Sequence, residues 1–368
     1  MSSTRTQVKY GSAGLFVGPT PATGQHFAGG NNGTNSVVQI HRVQSTSDSF
    51  DVPLENVNQF GNTAAIDKVS NTAPTPTLDF TYYPTNGINE YRLGFPIDGE
   101  TSIASGILDT TNDEKNYFQL YTPEGVDAAG DTARANHRVV GLGNGFVSSF
   151  DISASVGGYM EANASIEGSN YVVHANSSGN NIPAVNLEDG SEIDTWQYAI
   201  PLQTSGESSM PTVIKKGDIT IEGLPGADLL GVKLNSAHLQ SFNVSVPFGR
   251  DALERLGSDF VFARPVQTPI DASVSLDFNV ADLATGTLAN IFNNCGSTKF
   301  DFTIKAAPCK GGSSSDEMAI VVKGAYFENQ TTSLDIGSPR NGSVNFQVPI
   351  GAANDTSNGI FLSGSYTP

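Results

Sequence analysis

The chain has 368 residues, with 19 Lys and Arg against 37 Asp and Glu and a formal charge of −18. So few cations exclude an electrostatic grip on nucleic acid, which works by basic groups displacing counterions. The 39 Gly, 19 Pro and abundant Ser, Thr and Asn disfavour long helices, while 20 Phe and 11 Tyr supply apolar surface for packed cores. The expected class is all-β with minor α.

The opening residues MSSTRTQVKY lack the apolar core of a secretory signal, and no run approaches the length needed to span a membrane. In chain order, alternation of apolar and polar residues then predicts half-buried strands. Phe50, Val52 and Leu54 oppose Asp51 and Pro53, and Leu78, Phe80 and Tyr82 oppose Thr77, Asp79 and Thr81. The stretch GLGNG (141–145) reads as a turn. Phe150, Ile152, Ala154 and Val156 oppose Asp151, Ser153 and Ser155. Residues 175–212, rich in Ser, Asn, Gly and acids, read as a long surface excursion on which Trp196 serves as an anchor.

The alternation returns further on. Phe242, Val244 and Val246 oppose Asn243 and Ser245; Val274, Leu276, Phe278 and Val280 oppose Ser275, Asp277 and Asn279; and Val344, Phe346 and Val348 oppose Asn345 and Gln347. Segments 96–116 and 296–316 read as hydrophilic loops, and short helices are expected only over Arg250–Leu256 and Ala281–Asn293. The order of elements repeats: SFDVPLENVNQFG (49–61) echoes SFNVSVPFGRDALERLG (241–257), Leu78–Phe80 echoes Leu276–Phe278, and 145–168 echoes 325–351. An offset drifting between about 180 and 198 residues is acceptable because surface loops tolerate insertion. The expected organisation is an N-terminal arm and first strand (1–35), a β-domain (36–174), a linker (175–234) and a second β-domain (235–368), read as a duplication.

The residues for common catalysis are not clustered in the sequence. Histidines 26, 41, 137, 174 and 238 stand apart and read as ordinary surface or loop residues, and neither a nucleophile elbow nor a phosphate-binding loop occurs. Cys295 and Cys309 are too few for a four-ligand zinc site; they either face each other across a hairpin or stay as separate thiols. No catalytic, cofactor-binding or metal-binding residue is assigned, no cofactor is expected, and an enzyme is not the expected reading.

SFDVPLENVNQFG, APTPTLDFTYYPTNG (73–87) and NGFVSSFDISASVGGYMEANASIEG (144–168), with a turn at Ser155-Val156-Gly157, together resemble the tail-tube proteins of long-tailed bacteriophages. The resemblance covers most of 36–174 and, more weakly, 235–366. It implies two tandem β-sandwich or half-barrel domains whose inner sheets join those of neighbours around a hollow tube. Three copies of a two-domain chain would supply six ring positions, a hexamer of chains being the alternative. The implied partners are copies of the chain, other tail proteins and DNA in transient, non-specific passage, without membrane insertion. The implied place is the tail of a virion assembled in the host cytoplasm. Candidate polar lumen-facing residues are Asp51, Thr77, Asp79, Asp151, Ser153, Ser155, Asn243, Ser275, Asp277 and Asn345. Candidates for a loop reaching the next ring are Asp98, Asp109, Asp113 and Glu114. The competing reading is another virion β-protein or a host-binding adhesin.

Overall fold

The computed structural model describes residues 8–20, 37–108, 113–123, 125–194, 196–204, 213–215, 218–224, 234, 237–280, 299–307, 318–334, 336–337, 339–352 and 354–366. The elements of the first half are β1 (Ala13–Pro19), β2 (Val38–Ile40), β3 (Val43–Ser49), β4 (Glu55–Val57), β5 (Asp67–Val69) and β6 (Thr77–Tyr82). There follow α1 (Ile88–Leu93), β7 (Asp98–Ser102), α2 (Ser105–Leu108), β8 (Lys115–Tyr121), β9 (Arg138–Ser155), β10 (Glu161–Glu167) and β11 (Asn170–His174). A small hairpin, β12 (Ser178–Asn181) with β13 (Gln197–Ala199), separates these from β14 (Ile219–Glu222) and β15 (His238–Pro247). The rest are β16 (Ile270–Asn279), β17 (Lys299–Ala306), β18 (Met318–Ser333), β19 (Asn341–Ile350) and β20 (Gly359–Ser363). The protein is all-β with minor α, and every strand pairing between these elements is antiparallel.

One layout occurs twice. In the first half β1, β8, the N-terminal part of β9 and β11 are neighbours, and β3, β6, β10 and the C-terminal part of β9 form a second run. In the second half β14, β17, β18 and β20 take the first arrangement, and β15, β16, β19 and β18 take the second. The long strands β9 and β18 therefore each serve two runs. Their bends coincide: Asn144 and Gly324 both have positive φ, 49° and 70°, and sit 180 residues apart. A β-bulge follows at matching places, Ser165·Ser149 then Ile166·Val147 in one half, Asn345·Asn329 then Phe346·Phe327 in the other.

The unit β3–hairpin–β6 matches β15–hairpin–β16 at one constant offset. Asp48 faces Leu78 as Val244 faces Val274, and Val57 faces Asp67 as Leu253 faces Ala263, each 196 residues on. Gly61 and Gly257, both at φ 89°, turn the two hairpin tips. This corrects the correspondence drawn from sequence. Ser49 matches Ser245 and not Ser241, and Leu78 matches Val274 and not Leu276, because pairing register rather than residue identity decides which side chains share a face.

The two halves join edge to edge. β9 pairs with β15, Ser153 opposite Asn243 and Asp151 opposite Ser245, so one sheet runs β3-β6-β10-β9-β15-β16-β19-β18. Its apolar face, with Phe80, Phe150, Phe242, Leu276 and Phe346, forms the main core. A second core beneath Phe16 and Phe118 is closed by the excursion through Ile182, Tyr198 and Ile200, with Trp196 packed at its margin as the anchor expected. The excursion crosses where Gly141 and Gly143 leave room: a Cβ on Gly143 would lie 2.2 Å from the Pro183 carbonyl oxygen.

Several expectations fail for physical reasons. GLGNG is no turn but a bent part of β9, Gly141 and Gly143 admitting Pro183. Arg250–Leu256 is an extended hairpin arm held by bridges at Arg250·Val266 and Leu253·Ala263. Phe50, Val52 and Leu54 lie beyond β3 and are exposed. Segment 96–116 is not a free loop: it contains β7 and α2, and Ile103, Ala104 and Ile107 are core residues. Within 296–316, residues 299–306 form β17, burying Phe300, Phe302 and Ile304. Ala281–Asn293, Cys295, Cys309 and Asp109 lie outside the described residues.

Candidate functional site

The joined sheet has a second, polar face. Cross-strand register places Ser45, Thr81, Asn163, Asp151, Ser245, Ser273 and Gln347 in one row across it. A parallel row runs Glu161, Ser153, Asn243, Ser275, Asn345 and Asn329. Thr77, Asp79, Ser155 and Asp277 stand on this same face, so nine of the ten residues marked from alternation come together. Asp51 does not belong to a strand; it lies just past the end of β3. No Lys or Arg occurs within β3, β6, β10, β15, β16, β19, residues 146–155 of β9 or residues 326–333 of β18. Charge on the face comes from Asp79, Asp151, Glu161, Glu167, Asp271 and Asp277. Side chains there bond one another across strands, as Ser241 Oγ to Asp277 (2.6 Å) and Asn345 Nδ2 to Asn329 (2.9 Å).

Of the residues marked for a loop between rings, Asp109 lies outside the described residues and the other three can be placed. Asp98 is exposed, but its carboxylate accepts bonds from the Glu100 and Thr101 amides and the Thr101 hydroxyl, closing its own turn. Asp113 is buried and takes a bidentate pair from Arg250 (2.5 and 2.7 Å). Glu114 accepts from Asn144 Nδ2 (2.6 Å), and burial pushes its carboxyl above the usual range. Asp113 and Glu114 thus hold parts of the fold together, which corrects their assignment to a projecting loop.

The two matching hairpins have opposite surroundings. In the second, Phe248 is fully buried, its amide donating to the Ser148 carbonyl (2.8 Å) and its ring 6.0 Å from Phe95. Arg250 bonds the Val147 carbonyl, and Arg264 reaches Glu167 (3.0 Å), Thr75 (3.2 Å) and the Gly168 carbonyl (3.2 Å). That hairpin is therefore docked on the first half. In the first hairpin the matching positions are open: Phe50 is 60% and Val52 48% exposed, against 1% for Val246 and 0% for Phe248. Leu54, Phe60, Ile66 and Val69 of the same hairpin are exposed as well. Sequence reasoning missed it because an apolar alternation reads as buried whether the cover comes from this chain or another.

Other polar clusters were also missed. His137, read as a surface residue, is buried; one ring nitrogen meets Ser177 Oγ (2.9 Å) and the other Asp131 (3.0 Å). These are residue types of a nucleophilic triad, yet Ser177 is 1% exposed and so shut off from a substrate; the network pins loop 131–138 to the excursion. Glu90, fully buried in α1, accepts from the Tyr82 hydroxyl (2.9 Å), and burial raises its pKa to about 7. His41 is lowered to about 4 by burial and by Arg92 and Arg42. Among the described residues no group of three or more His, Cys, Asp or Glu is placed to hold a metal ion, and no helix is long and apolar enough to cross a membrane.

No protein-family model and no curated protein matches the chain. Among solved structures it is similar to the SPP1 tail tube, determined by solid-state NMR and cryo EM, at 10% identity over 46% of this chain and 79% of that one, with a TM-score of 0.29.

Proposed function

We propose that the chain is a structural subunit of a phage tail tube and not an enzyme, polymerising as stacked rings around a lumen that conducts DNA during genome ejection. The observation that carries this reading is the sheet: two matching units already joined edge to edge, with one polar face whose strand segments carry no Lys or Arg. Among the described residues, β3 at one end and residues 327–333 of β18 at the other lack a neighbouring strand on their outer side. Open strand edges invite pairing with another chain, and ring closure removes them. The polar face then lines the lumen, offering sliding phosphates hydroxyls, amides and carboxylates but no basic group to hold them. The matching units are read as a duplicated domain, so that three chains supply six ring positions. Assembly with other tail proteins in the host cytoplasm, into the tail of the virion, belongs to the same reading, as does the sequence resemblance at 36–174.

Negative-stain microscopy of the purified protein tests it: tubes or rings of uniform bore are expected. Isolated particles at every concentration would overturn the reading and favour a virion surface protein or adhesin.

A further inference from the structure

Because the chain contains one complete joint between its halves, the contacts that a second copy must make can be written residue by residue. We propose that the exposed hairpin 50–74 is a docking arm for the second half of another copy of this chain, repeating the internal joint. The proposal rests on the reading that copies assemble, and deepens it by naming the surface, the register and an ion pair.

The match is carried by register. Within the chain, Asn243 faces Ser153, Val244 faces Ile152 and Ser245 faces Asp151. Moving the β15 side back by 196 residues and the β9 side forward by 180 gives Ser47 facing Ser333, Asp48 facing Thr332 and Ser49 facing Thr331 of the next copy. The amide of Val52, in the place of Phe248, then meets the carbonyl of Glu328, in the place of Ser148. Both partners of this joint carry the right surfaces. Phe50 and Val52 are open where Val246 and Phe248 are covered, and on the receiving side Phe327 is half-buried where its counterpart Val147 is fully buried.

Charge agrees as well. Lys68 stands where Arg264 stands in the docked hairpin; inside the chain Arg264 meets Glu167 (3.0 Å) and Thr75 (3.2 Å), and the matching positions of the next copy are Gln347 and Asp271, so the carboxylate moves to the neighbouring position and an ion pair between copies is retained. Lys68 and Asp271 are both exposed in the single chain. The contact is head to tail, using different surfaces on the two copies, and so propagates until it closes on itself.

The test uses the full chain with Cys295→Ser and Cys309→Ser. Adding Ser47→Cys and Ser333→Cys should give, on mild oxidation, a ladder of covalent oligomers; a control with Ser45→Cys and Asn329→Cys, about six residues out of register, should not. Lys68→Glu should raise the protein concentration needed for assembly about tenfold, a change of about 1.4 kcal/mol, and adding Asp271→Lys should restore it. Tubes that form without in-register cross-links, or equal cross-linking by the control pair, would overturn the docking register alone. Cross-linked closed oligomers without tubes would uphold it and sink the tail-tube reading. A chain that stays monomeric throughout would overturn both.

Discussion

Glu90 is a carboxylic acid held in the core. It is fully enclosed, its Oε1 accepts the Tyr82 hydroxyl, and its Oε2 has no hydrogen-bond partner. With a folded pKa of about 7, the native state binds this proton more tightly than the unfolded chain does. Below the unfolded value both states are protonated and the group has no pH-dependent effect; between there and about 7 native stability falls as pH rises, and above 7 the loss is complete. Glu90→Gln should therefore match the parent in thermal unfolding near pH 4 and exceed it by on the order of 2–3 kcal/mol at pH 8. An equal difference at both pH values would show that the carboxyl does not titrate in this way. Arg250 presents the reverse case. It is buried but satisfied by Asp113 and two carbonyls, so Arg250→Ala should cost about 3–5 kcal/mol by removing the bidentate partner of the buried Asp113 carboxylate; denaturant unfolding measures it.

At the scale of the element, the long bent strand defines each half. The bend in β18 falls at Gly324, where a Cβ would lie 2.6 Å from Asn358 Oδ1 and φ is 70°. Gly324→Val should cost about 1–3 kcal/mol, and Gly324→Asn distinctly less, since Asn144 holds the matching conformation in β9; equal losses would refute a backbone origin. Elements of this kind mark how far the sequence could be read. Strands with strict alternation, such as Thr77–Tyr82 and Ile270–Asn279, were legible because one face is buried in the chain itself. The Ser155-Val156-Gly157 turn was legible because Gly157 takes a positive φ, 97°. The bend of β9 was not, because glycines that admit a crossing segment have the same composition as a turn. The places of Asp113 and Glu114 were misread because Asp113 is buried against Arg250 and Glu114 half-buried against Asn144, and only tertiary partners reveal that. Nine of the polar-face residues could be placed from alternation, whereas the exposed hairpin beside them could not.

At the scale of the whole molecule, a formal charge of −18 opposes association. On the proposed reading, copies that meet through Ser, Thr and apolar contacts must overcome the mutual repulsion of their acidic faces. Raising ionic strength from about 0.02 M to about 0.2 M, which shortens the screening length severalfold, should lower the concentration at which sedimenting polymer appears. Salt that dissolved the polymer instead would mean that ion pairs such as Lys68 with Asp271 dominate the contact.

The pairing of β9 with β15 has one more consequence. If copies repeat it, alternate seams around a ring are of two kinds: one tethered within a polypeptide, where its two sides never drift apart, and one that depends on chance encounter. Dilution would then unzip only every second seam, releasing two-unit pieces and never single ones. The covalent connection would make the smallest building block a pre-assembled corner of the ring.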